Sequence, residues 1–64
     1  MDYEKQLLLD ARAAIRQFPD HRVEITDLYT LAISEIEDGG SAAHEYELFT
    51  DSISAIKKEA LTGA

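Results

Sequence analysis

Several short runs in this chain approach known chemistry, and each stops short of it. His44-Glu45-Tyr46-Glu47-Leu48 opens as a zinc-hydrolase helix does. That chemistry needs a second imidazole four residues on, so that two histidines share one helical face around the metal. Leu48 holds that position, which leaves His44 to pair with Glu47 or Asp51 along the helix surface. Ser34 to Glu45 can also be laid over a calcium-loop register, with Gly39 at the turn and Glu45 at the last position. Calcium requires carboxylate or amide oxygen at the first and third positions, where this chain has Ser34 and Ile36. The spacing predicts at most weak, nonspecific divalent binding by Glu37, Asp38 and Glu45. His21, in the turn from Pro19 to Arg22, is expected at the surface or at a helix cap.

Nucleophilic catalysis has little to work with. There is no cysteine, and the serines and the two histidines show no triad spacing. Carboxylates are plentiful, but an acid–base pair needs a pocket that drives their pKa values apart, and a domain this small rarely has room for one. Gly39-Gly40 lacks the spacing of a phosphate loop and sits among acids that would repel phosphate. An enzyme is not expected, and no cofactor or metal site is assigned.

The acids are better explained as a field. From Val23 to Ile56 the chain carries Glu24, Asp27, Glu35, Glu37, Asp38, Glu45, Glu47 and Asp51, with no lysine or arginine. Residues 1–22 are neutral, and the net charge of −7 therefore resides in this stretch. Such a surface repels nucleic acid and anionic membrane and favours basic partners. A solvated surface that keeps a small protein in solution accounts for the same charge. Mimicry of nucleic-acid phosphates is the sharper alternative, although eight acids imitate only a short stretch of duplex. Arg12 and Arg16, one turn apart with Lys5 and Arg22 nearby, form a small basic set expected to pair with Asp10, Asp20 or acids of the second helix. DNA reading would call for a basic recognition helix, and the most regular helix here is acidic, so direct nucleic-acid binding is not expected.

At 64 residues the chain is read as one small domain, residues 1–64, near the lower limit for independent folding. Without cysteine it has no disulfide or zinc–thiolate staple, which leaves oligomerisation as the usual remaining support. A hydrophobic fraction of 45% is ample for a core. No apolar run reaches the roughly 18 residues needed to span a bilayer. Met1-Asp2-Tyr3-Glu4-Lys5 lacks the basic start and apolar stretch of a signal peptide, so cytoplasmic residence is expected.

Breakers at Pro19-Asp20 and Asp38-Gly39-Gly40-Ser41 divide the chain into three segments, each with helical spacing of apolar residues. The fold predicted is all-α, a three-helix bundle with helices at about 3–18, 21–37 and 42–61, and homodimerisation is a route to completing its core. The first stripe is Leu7, Leu8, Ala11, Ala14, Ile15 and Phe18; Asp2 is its expected cap, and Pro19 ends it. The second is Ile25, Leu28, Tyr29, Ala32 and Ile36, with Asp20 expected as N-cap and a glycine at 39 or 40 closing the helix. The third is Ala42, Tyr46, Phe49, Ile53, Ile56 and Ala60, with Ser41 as N-cap. Thr62-Gly63-Ala64 is expected to fray. Glu35, Glu37 and Asp38 lie at the negative end of the second helix dipole, where a chain chosen only for stability would carry lysine.

Three leucines fall off these stripes: Leu9, Leu31 and Leu48, one on each helix. Isolated apolar residues are common on surfaces, yet two of these three converging would make a contact patch. The expected partner-binding set is Leu31, Leu48 and Leu9 with Glu35, Glu37, Asp38, Glu45 and Glu47. The expected function is a non-enzymatic interaction module or adaptor, which binds itself or a basic or amphipathic protein. The alternative is an acidic inhibitor, of the kind carried by phages and mobile elements, that mimics nucleic-acid charge on a host protein.

Overall fold

A computed structural model describes residues 2–62 and shows an all-α three-helix bundle. Helix α1 runs Tyr3–Gln17, a 3-10 turn covers Pro19–His21, α2 runs Arg22–Glu37 and α3 runs Ala42–Thr62. The predicted helices are therefore present, with ends shifted by a residue. Each helix packs on the other two. Short connections make α2 antiparallel to its neighbours, so that α1 and α3 run in the same direction.

Local chemistry accounts for most of the helix ends. Asp2 caps α1, its carboxylate accepting from the Lys5 backbone N–H at 3.1 Å. Ser41 Oγ accepts from the His44 N–H at 3.3 Å at the start of α3. The end of α2 is a Schellman closure: Gly39 N–H donates to the Ile36 carbonyl at 3.1 Å and Gly40 N–H to the Glu35 carbonyl at 2.8 Å. Gly39 has φ +98, in the left-handed region that glycine enters without steric penalty. Gly40 is needed for a different reason, since a Cβ there would stand 2.7 Å from the Glu35 carbonyl oxygen.

The start of α2 departs from expectation. Asp20 does not cap it; Asp20 lies inside the 3-10 turn, and His21 occupies the cap position without a side-chain hydrogen bond. Pro19 is the cause. Its fixed φ suits a first helical position, so the turn begins at Pro19 and takes Asp20 up before α2 starts. His21 Nδ1 lies 3.6 Å from Glu24 Oε2, and no lysine or arginine forms a salt bridge among the described residues. Arg12 and Arg16 therefore do not form the expected bridges to Asp10, Asp20 or α2.

The core consists of Leu7, Ala11, Ala14, Ile25, Ala32, Phe49 and Ile56, all drawn from the apolar stripes. Three are alanines, which allow the helix axes to approach closely. Leu7 and Ile25 are the large side chains fully removed from solvent. Ile15, Phe18, Leu28, Tyr29, Ile33, Ile36, Tyr46 and Ile53 close over them, partly buried. Ala60 leaves the seam and is exposed. At 1.5 Å per residue α3 is about 31 Å long against about 22 Å for α1 and about 24 Å for α2, so its last turn passes beyond both. Thr62 is the last residue of α3, and Gly63 and Ala64, where the rest of the expected fraying falls, lie outside the described residues. No helix is long and apolar enough to cross a membrane among the described residues.

Candidate functional site

The Schellman turn fixes the register of α2 against α3, and that register decides where the surplus leucines meet. Leu31 and Leu48 come together on the two walls of a groove between α2 and α3. Leu28, Ala32 and Phe49 form its floor, and Glu45 and Ser52 complete its α3 side. The groove encloses about 250 Å³. Leu31 is 60% exposed and Leu48 48%, so a partner could cover substantial apolar surface on either one.

One acid lines this groove and others lie on the same side of α2. At about 100° per residue, Glu24, Asp27 and Glu35 all lie within about 40° of Leu31 around the α2 axis. All three are exposed, and Glu45 is half-buried at the groove itself. Glu47 is exposed on α3, about 100° around from Leu48. Glu37 and Asp38 are exposed at the end of α2, where the helix leaves partial negative charge and no basic side chain answers it. The predicted set thus divides: Leu31, Leu48, Glu35 and Glu45 share one face, Glu37, Asp38 and Glu47 contribute field from beside it, and Leu9 stands apart. Leu9 is 49% exposed on the side of α1 away from the buried Leu7, Ala11 and Ala14.

A second groove, between α1 and α3, encloses about 290 Å³. Phe18, Phe49 and Ile53 give it an apolar side, and Asp10 and Lys57 a polar one. Above it sits a polar cluster that the apolar spacing did not reveal. Asp10 accepts from Gln6 Nε2 at 3.0 Å through Oδ1 and from the Tyr46 hydroxyl at 2.5 Å through Oδ2. The Tyr3 ring lies 5.6 Å from that of Tyr46, tilted by 45°. Hydrogen bonding to Asp10, followed by partial burial and the Asp10 charge, raises the Tyr46 pKa above its ordinary 10.0. Asp10 faces α3 and accepts from uncharged donors through both oxygens, whereas Arg12, two residues on, lies about 160° around the helix from it. The cluster ties α1 to α3.

Comparison with family models, with curated proteins and with solved structures finds no match to this chain.

Proposed function

We propose that this protein is a non-enzymatic interaction module that uses the α2/α3 groove to hold an amphipathic, basic helix of a protein partner. The observation that carries the proposal is the convergence of Leu31 and Leu48, far apart in sequence, into one apolar groove that Glu45 lines, with Glu24, Asp27 and Glu35 on the same side of α2 as Leu31. An amphipathic helix laid in such a groove buries its apolar stripe between the leucines and meets carboxylates with its polar flanks. The charge speeds encounter, and the apolar contact supplies most of the lasting affinity. A groove holding Glu45 and Ser52 as its polar side chains offers binding groups rather than an acid–base pair.

The test is titration with a synthetic helix bearing leucines on one face and lysines on its flanks. Binding should weaken as salt rises, and Leu48→Asp should reduce affinity at least about tenfold while the monomer stays folded. Salt-insensitive binding that Leu48→Asp leaves unchanged would contradict the proposal. An acidic inhibitor acting by charge alone predicts another pattern: neutral substitution of Glu35, Glu37, Glu45 and Glu47 together would abolish binding, and Leu48→Asp would not. The apolar floor of Leu28, Ala32 and Phe49 favours the groove over that alternative.

A further inference from the structure

The groove's acids have a counterpart elsewhere on the same molecule. Around the α1 axis, Lys5, Arg12 and Arg16 lie within about 60° of Leu9; Glu4 and Asp10 fall outside that sector, and the capping Asp2, at its N-terminal edge, is engaged by the Lys5 backbone N–H. Leu9 and the three cations are exposed, and none of the cations forms an ion pair among the described residues. The outer face of α1 is thus a basic helix with one central leucine, the chemistry that the α2/α3 groove is built to accept.

We propose that the occupant of the α2/α3 groove is the outer face of α1 from a second copy of this chain, with Leu9 seated between Leu31 and Leu48 and with Lys5, Arg12 and Arg16 against the groove acids. The proposal rests on the groove being a docking surface and adds the identity of what docks. No α1 residue lines the groove, and Leu9 faces away from the core that α1 shares with α2 and α3. The two complementary faces therefore lie on opposite sides of one molecule. A contact between unlike faces does not close on itself in a twofold dimer; it continues head to tail into open chains or closes as a ring.

Salt should act in both directions. Each copy carries −7, and side-by-side copies sit roughly one bundle width apart, with the bundle measuring 39 × 19 × 16 Å. At about 0.1 M salt the screening length is about 10 Å, shorter than that separation but longer than an ion-pair contact. Mutual repulsion is damped there while the contact pairs survive. Association should peak near that ionic strength and fall at about 0.01 M and at about 1 M.

Sedimentation equilibrium of four samples provides the test, with helical circular dichroism confirming that each is folded. Wild type should grow past dimer with concentration. Leu48→Asp, with a damaged groove, and Arg12→Glu/Arg16→Glu, with a damaged α1 face, should each lose association at least about tenfold. Mixed together they should form a one-to-one heterodimer that grows no further, because one intact groove then meets one intact α1 face. Leu31→Asp replaces Leu48→Asp if the latter does not fold. A wild type that stays monomeric at every concentration and salt, or an Arg12→Glu/Arg16→Glu protein that associates like wild type, would overturn the proposal. Either result leaves the groove free to bind a basic helix, which the peptide titration reads separately. If Leu48→Asp also leaves that titration unchanged, the groove itself is excluded.

Discussion

The Tyr46 hydroxyl donates to Asp10 Oδ2 at 2.5 Å, joining α3 to α1 across 36 positions of sequence. With a charged acceptor this bond contributes more than a neutral one, and partial solvent contact moderates it. Tyr46→Phe should lower stability by about 1 kcal/mol. Asp10→Ala should cost a similar amount, and the double variant less than the two combined, since both remove one interaction. Urea midpoints of the four proteins check this; full additivity would show that the bond contributes nothing.

The same bond sets an alkaline limit. The Tyr46 pKa is raised in the fold, first by its hydrogen bond to Asp10 and then by partial burial and the Asp10 charge. Between the unfolded value of 10.0 and the raised folded value, the native state holds a proton that the unfolded state has lost. The associated stability is complete below pH 10.0 and disappears as pH rises through the folded value. Wild type should therefore lose stability above that pH more steeply than Tyr46→Phe, as read from urea midpoints across the alkaline range.

The α2–α3 turn should be intolerant of side chains at both glycines, for different reasons. Gly39→Ala forces a Cβ into the left-handed region and should cost about 1 kcal/mol, and Gly39→Asn less. Gly40→Ala places a Cβ 2.7 Å from the Glu35 carbonyl oxygen and should cost at least as much, because backbone must shift. Since this turn sets the register that pairs Leu31 with Leu48, Gly40→Ala should also weaken groove binding in protein that remains folded.

Glu37 opposes stability. It is exposed in the last turn of α2, and Glu37→Lys should raise stability by about 0.3–1 kcal/mol through the helix dipole. The same change removes field beside the groove and should slow association with a basic helix. Thermal melts and association rates, measured on one variant, would show opposite signs; a variant that is both more stable and equally fast would leave the acids at the end of α2 without a binding role.

The elements were legible in the sequence because their causes are local. Apolar spacing marked Leu7, Ala11, Ala14, Ile25, Ala32, Phe49 and Ile56 as inward, and all seven are buried. Asp2, Ser41 and the glycine pair end their helices through contacts a few residues away. Asp20 was misplaced because a capping preference was outweighed by the φ that Pro19 imposes on the turn. Ala60 fits the repeat perfectly yet is exposed, since periodicity reports which face is apolar and not how far the neighbouring helices extend. The Asp10–Tyr46 bond and the meeting of Leu31 with Leu48 depend on how helices register in space, which no single-helix pattern encodes. Leu9, Leu31 and Leu48 share the same signal of being off their stripes, and tertiary placement alone separates two groove walls from one outer face.

The most direct test of the account follows the backbone amide chemical shifts of the folded protein as the basic amphipathic helix is added. The largest changes should fall on Leu28, Leu31, Glu45, Leu48 and Ser52, along both walls of the α2/α3 groove. Changes concentrated on Ala13, Gln17, Ile53 and Ser54 would place the partner in the α1/α3 groove instead, and would contradict the central role given to Leu31 and Leu48.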